Sequence, residues 1–551
     1  MFAVGLAVAL IAGACGGGGK SGESARGVVP TTVADEGTPV DGGSINVGLE
    51  AESAGWQPCV DSHSEAGTMV MMAIYDPLMS RTATGKIEPF LAQSLTPNAD
   101  LTQWTLKLRP NVKFADGTPL NASVLKDNFD NGIKAPTSRC ASAAKPITEM
   151  KVVDDLTVTY VLSGPFGPFP DLLVLDMGMP WSPQNAQKWG KDVSAHPVGT
   201  GPFMFDSWER DSKLIVKKNP NYWRKGFPHL DQVTFRPIPD EDARLASLKT
   251  GELDISHTLR QEFVKQARDA GDSIKRYEFI GNNTGSTIFN VASPPVDDVR
   301  IRKAFAYSLN QDALVQVLGG AGISPTATQY FSKDSPWYSA KVAAAWPTND
   351  PAKGKELVQS YMNDPKRSDG KKVGDPVTFQ YNCPPDPSLI ALAQAYQEQA
   401  KAVGLQLDLK QVEQATHINN AVGSPPYTTA NFQAACWRLG GQADPDAILF
   451  NSFSDPNGNA ANVTNFSTPE LQQALKAGRE SADFKTRYDA YEKVMSIFAD
   501  QVPATYTGYT ATAALTQPKV RGLLTWTLPD GAKGTGVEQS VVLMWNVWLA
   551  K

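Results

Sequence analysis

Histidine and cysteine are scarce in this chain, with five of each among 551 residues. His63, His196, His229, His257 and His417 are scattered with no i, i+4 pair, which argues against a dedicated metal site, nickel included. No two cysteines have CxxC spacing, so a zinc or redox centre is not expected. GxSxG, HExxH and SxxK signatures are missing from any usable setting, and no pair of carboxylates is singled out by spacing. A hydrolase is therefore the weaker reading, and no cofactor is expected. The segment Ala14 to Ser21 nearly spells a phosphate loop, but it lacks the first glycine and a preceding strand. A net charge of −6 excludes nucleic acid as the expected partner. Internal repeats and heptad runs are absent as well.

Long apolar runs are also missing. The stretch Phe2 to Ala14 is about a dozen residues, against the roughly 20 that a spanning helix needs. Followed by small residues, it reads as an export signal covering residues 1–14. Leu10-Ile11-Ala12-Gly13-Ala14-Cys15 resembles a bacterial lipobox, which would make Cys15 the acylated N-terminus of a lipid-anchored, extracytoplasmic protein. Residues 15–43 are rich in Gly, Ser, Thr and Pro and are expected to form a flexible linker. No later run of 18 apolar residues occurs, so the body is expected to be soluble and only anchored.

The chain is long enough to require at least two lobes. Cys59, Cys140, Cys383 and Cys436 remain once Cys15 is set aside. Export permits disulfides, and sequence order favours Cys59–Cys140 and Cys383–Cys436, with free buried thiols as the alternative. The early part alternates as β-strands do, at Trp104 to Arg109 and at Leu156, Val158, Tyr160 and Leu162. A turn at Ala115 to Thr118 and a helix cap at Asn121 lie between them. Later, Val377, Phe379 and Tyr381 alternate and are followed by a helical pattern from Leu389 to Val403. Gly404 closes it, and Leu405, Leu407 and Leu409 alternate again, giving a β-α-β unit with a parallel pair. A β-rich first lobe and an α/β second lobe are expected.

Four blocks follow one another through the chain. Ile74-Tyr75-Asp76-Pro77-Leu78, Glu88 to Ala92 and Leu108 to Pro119 form the first. Pro197 to Phe203 with Asn219 to Trp223 forms the second. Arg244 to Asp254 is the third, and Asp298 to Leu309 the fourth. Together they resemble the family 5 extracellular solute-binding proteins, receptors of oligopeptide, dipeptide and nickel ABC importers. The resemblance implies an α/β, two-lobed, periplasmic-binding-protein-like II fold of the cluster C type. It implies a discontinuous first lobe over residues 44–289 and 504–551, with a β-rich subdomain near 55–195, and a second lobe over 290–503. Crossing strands are expected near Ser286–Val291 and Ala504–Thr512. Most motif residues read as structural: Pro197 to Phe203 as a turn, Asp297 or Asp298 as a cap, and Arg300 and Arg302 on a solvated or ion-paired face.

A binding protein of this kind would be no enzyme. It would work as a monomer, hinging shut on a small solute and docking on an ABC permease with its ATPase. The ligand walls are expected from Glu50, Trp56 and Gln57 after one strand, and from Trp437, Arg438 and Gly440 on another. In peptide-binding members a carboxylate three residues after the tryptophan holds the α-amine; here that position is Gly440, or Gly441 with a longer loop. Glu50 or Glu52 could supply the charge instead. An oligopeptide is the first expectation, with an uncharged or sugar-like solute and a non-transport surface sensor as alternatives.

Overall fold

In the computed structural model an eleven-stranded mixed sheet runs through the molecule. The structure describes residues 28–30 and 36–551, apart from residues 62, 136–137, 423–430, 441–443, 458, 460, 525 and 539. Cys15 and the expected signal lie outside the described residues. Among the described residues no helix is long and apolar enough to cross a membrane.

Two long antiparallel strands, Lys275–Phe289 and Ala504–Thr516, form the middle of the sheet, paired from Lys275 opposite Thr516 to Ile288 opposite Ala504 with register shifts between Ile280 and Ser286. On one side follow Ile255–Thr258, Ser44–Leu49, Gln232–Pro237, Lys213–Lys218 and Phe203–Glu209; on the other follow Ala434–Leu439, Val377–Cys383 and Leu405–Gln411. The buried apolar residues divide in the same way. One core gathers Val47, Trp56, Phe90, Phe235 and Trp545, with a satellite around Leu248 and Ala513. The other group gathers Phe305, Tyr381, Phe498 and Tyr506. The long strands feed both, through Tyr277 and Ala514 at one end and Ile288 and Ala504 at the other. Residues after Thr516 return to the first core, where Trp545 stacks on Phe90 at 4.7 Å.

Local chemistry accounts for the elements that carry these cores. Val377, Phe379 and Tyr381 are buried on one face of a strand that pairs in parallel with Leu405–Gln411. Between them, helix Pro387–Lys401 starts at Asp386, whose carboxylate accepts from the amides of Ser388 and Leu389 at 2.9 and 3.1 Å. Pro387 loses nothing there, because a first-turn amide has no helical partner. Gly404 takes φ +95°, which suits glycine and turns the chain into the next strand. In the early part, Ala92–Pro97, Gln103–Leu108, Thr157–Leu162 and Ile147–Asp154 make a separate four-stranded antiparallel sheet. Asn121 caps the helix beside it, accepting from Val124 at 3.0 Å.

The first two motif blocks meet around Asp76. Its buried carboxylate accepts from the Tyr222 hydroxyl at 3.1 Å and from the Trp223 indole at 2.6 Å. A side chain at Gly199 or Gly201 would strike the backbone of Ile74, so glycine is required for this close approach. These residues build the fold rather than the site.

Two expectations need correction. The segment 15–43 is not a free linker throughout: Val28–Pro30 adds to the edge of strand Lys275–Phe289, with Val28 opposite Phe279. That stretch of the long strand lies beyond its pairing with Ala434–Leu439 and has an open edge, and β-branched valines suit it. Glu36 also accepts from the amide of Gly522 at 3.1 Å. Arg302, expected on a solvated or ion-paired face, is buried and donates to the carbonyls of Val296, Asp297, Gln501 and Val502. Arg300 does lie in an ion pair, with Asp298 and Asp364, and Asp298 is the cap.

Candidate functional site

A cavity of about 1290 Å³ lies between the two groups of elements. Pockets for drug-sized ligands occupy about 300–1,000 Å³, so this one has room for more than a single amino acid. Arg139, Lys145 and Phe166 come from the first side, and Trp437, Phe450 and Asn451 from the second.

The second wall is strand Ala434–Leu439, paired antiparallel to the long strand with Trp437 opposite Ser286. Alternation puts Ala435, Trp437 and Leu439 on one face and Cys436 on the other. Cys436 is bridged to Cys383, with Cα atoms 5.3 Å apart. Its carbonyl meets the His417 Nε2 at 2.9 Å. Trp437, half-buried, borders the cavity and leans on the His417 ring, with centroids 5.8 Å apart. The strand is thus fixed from behind, while its indole faces the gap.

After Trp437 the loop is committed to structure. The Gly440 carbonyl accepts from the Tyr330 hydroxyl, and a Cβ placed at Gly440 would meet nothing within 4 Å. Gly441 lies outside the described residues. The next acids are held by arginine forks. Asp444 receives Arg487 at 2.6 and 2.8 Å, and Asp446 receives Arg479 at 2.7 and 2.9 Å. Bidentate pairs of this kind satisfy both oxygens, so neither acid is open to a ligand amine.

On the first wall the residues after strand Ser44–Leu49 separate into different roles. The Glu50 amide donates to His257 Nε2 at 3.2 Å. Burial and the nearby Arg244 push His257 down to about 3, so it stays neutral and accepts that bond. The Glu52 carboxylate is occupied by the Trp208 indole at 2.7 Å and the Asp211 amide at 3.0 Å. Glu50 instead acts on Glu65, which Glu538 and Arg438 also influence; burial, Glu50 and Glu538 together hold Glu65 up at about 7 against the pull of Arg438. Arg438, from the second wall, is exposed.

Trp56 and Gln57 are not placed as expected. Trp56 is 1% exposed, packs edge-on against Trp208 at 5.7 Å, and gives its carbonyl to the Tyr75 hydroxyl at 3.0 Å. Gln57 is 4% exposed, its amide held by Asp61 at 2.7 Å. The loop folds inward, so the indole fills the first core and offers no face to a solute in this conformation. Cys59, two residues on, is bridged to Cys140 with Cα atoms 5.2 Å apart.

Contact across the gap is closed at one end. The Gly167 amide donates to the Arg479 carbonyl at 2.8 Å. The Arg479 guanidinium lies 3.3 Å from the Phe450 ring centroid and 5.0 Å from that of Phe166, so it is held between rings from both sides.

This arrangement, a long-strand hinge with a cavity between two cores, is matched in known proteins. Residues 86–460 fit the family described as bacterial extracellular solute-binding proteins, family 5 Middle. The chain belongs to this family. It is 31% identical over 309 residues to the glutathione-binding protein GsiB of Salmonella typhi, a match covering 54% of this chain and 58% of that relative. Among solved structures, DppA of Helicobacter pylori in complex with the peptide STSA aligns with TM-score 0.73 and 21% identity, over 93% of this chain and 99% of that one. AppA of Bacillus subtilis in complex with a nonapeptide aligns with TM-score 0.71 and 20% identity, over 93% and 100%. The fold is therefore the two-lobed α/β fold of the family 5 periplasmic binding proteins. As the family is one of extracellular solute-binding proteins, the cavity is the place to look for a solute.

Sequence reasoning missed Arg139, Lys145, Phe166 and Arg479 on the cavity wall. Arg139 carried one local signal, its position beside a bridged cysteine; the others reach the gap only through long-range packing.

Proposed function

We propose that this family 5 protein is the receptor of an ABC importer, taking a peptide or peptide-like solute into its interlobe cavity and delivering it to a permease and ATPase. Its lobes are assigned to residues 44–289 with 504–551, carrying the β-rich subdomain near 55–195, and to 290–503. Cys15 is assigned as the lipid-bearing N-terminus that holds a monomeric receptor at the membrane surface. The observation that carries the reading is the cavity of about 1290 Å³ with strand Ala434–Leu439 on its wall, where a peptide backbone can lie beside a fixed strand. GsiB and the peptide complexes of DppA and AppA support the same solute class.

Trp437 is assigned as the apolar anchor in the cavity, and Arg438 and the Gly440 loop, next along the chain, as flanking contacts at its edge. Glu50, together with Glu65, takes the place of the carboxylate that Gly440 lacks. An ammonium beside Glu65 would favour its ionised form, so binding a free amine near neutral pH would release a proton. Trp56 and Gln57 shape the wall from within the core.

Native mass spectrometry of freshly purified protein, followed by calorimetric titration with a peptide library, tests the reading. A co-purifying peptide or saturable peptide binding supports it; sugars bound and peptides refused would replace it with the sugar-like alternative, for which the open face of Trp437 is the feature.

A further inference from the structure

The wall opposite Trp437 carries two cations with no counter-ion. Arg139 and Lys145 border the cavity and are exposed, and neither has an ion pair among the described residues. They stand on a short, stapled segment. The Arg139 amide donates to the Cys59 carbonyl at 2.8 Å, and the neighbouring Cys140 is bridged to that same Cys59. The Ser138 hydroxyl donates to the Cys59 carbonyl at 3.3 Å and accepts from the Cys140 amide at 3.1 Å. After Lys145, the Pro146 carbonyl accepts from Ser163 at 2.8 Å, tying the segment's far end. The backbone bearing both charges is thus preorganised, which lowers the ordering cost of gripping a ligand.

The acids that border the cavity do not neutralise them. Asp446 is held in the Arg479 fork, and Asp455 turns its carboxylate to the Asn457 amide and side chain at 2.9 and 3.0 Å. Arg139, Lys145 and Arg479 against Asp446 and Asp455 leave a net charge of +1, with both unpaired cations on the first wall. A cleft wall with an excess of one sign concentrates ions of the opposite sign. Resting on the peptide reading of the cavity, we infer that Arg139 and Lys145 select a solute carrying an acidic side chain that reaches this wall. Arg139 offers a planar fork for that group and Lys145 a point charge.

The test is calorimetry on the full-length exported protein with tripeptides of equal length and amidated C-terminus: one with an acidic third residue, and one with the corresponding side-chain amide there. The acidic peptide is expected to bind tighter by about tenfold or more, the range of charge-assisted hydrogen bonds. The R139Q/K145Q variant should lose that preference while keeping the affinity for the amide peptide, and R139K/K145R should retain most of it. Both side chains are exposed, so an unchanged melting temperature serves as the folding control. Raising salt to about 1 M, where screening acts within about 3 Å, should shrink the preference. Equal affinity for the two peptides, or a preference that survives R139Q/K145Q, overturns the inference and leaves the peptide receptor standing. Failure of every peptide to bind overturns both.

Discussion

Gly167 and Arg479 belong to opposite sides of the cavity and are joined by a 2.8 Å hydrogen bond between their backbones. A Cβ on Gly167 would lie 1.8 Å from the Ser481 carbonyl oxygen, so only glycine permits this approach. Gly167→Ala should force this end of the gap apart while leaving the ligand walls unchanged. Loss of one such bond is worth about 0.5–1.5 kcal/mol, so solute affinity should fall roughly threefold to tenfold. Titration of the variant checks this; unchanged affinity would mean that the contact does not bear on closure.

The two tryptophans first considered as ligand contacts should behave oppositely. Trp56→Ala removes a fully buried indole and should lower stability by about 3–5 kcal/mol in denaturant unfolding. Trp437→Ala should weaken solute binding by about 1–3 kcal/mol with a much smaller effect on unfolding. Reversed outcomes would exchange their roles.

Gly440 has open space where a side chain would start. Gly440→Asp should therefore fold normally and place a carboxylate three residues after Trp437. Peptides with a free amine should bind about tenfold tighter to it, as expected of a charge-assisted hydrogen bond, and N-acetylated peptides should not. Equal gains for both peptides would show that the new acid does not meet the amine.

Asp76 supplies a pH dependence with a defined sign. Burial raises it from 3.8 to about 7, against the donors from Trp223 and Tyr222. The folded protein therefore holds a proton that the unfolded chain releases. The stabilisation is fully present below the unfolded value near 3.8 and is lost as pH rises through about 7. Thermal unfolding of Asp76→Asn should gain on the parent between pH 4 and pH 8. A constant difference across that range would contradict the raised value.

The β-α-β unit from Val377 to Gln411 was legible because its period changes between Tyr381 and Leu389, and because Asp386, Pro387 and Gly404 mark the ends. Four motif blocks pointed to the fold, and the structure shows why three of them need those residues: the first two surround Asp76, and the fourth carries the buried Arg302. The site was less legible. A tryptophan followed by a polar residue reads the same whether it faces a gap or a core, and Trp56 faces the core. Glu52 and Glu50 are indistinguishable by spacing, yet the Glu52 carboxylate caps a hairpin turn, while Glu50 is tied by its backbone amide to His257. Val28–Pro30 joins a strand 245 residues later, opposite Tyr277 to Phe279, a pairing that no local pattern encodes.

Closure around a solute is most directly tested by small-angle X-ray scattering on protein stripped of solute and then titrated with peptide. The radius of gyration should fall on saturation, and stripped Gly167→Ala should be more open than the parent. Saturable peptide binding with no change in scattering, beginning from an open stripped form, would contradict closure.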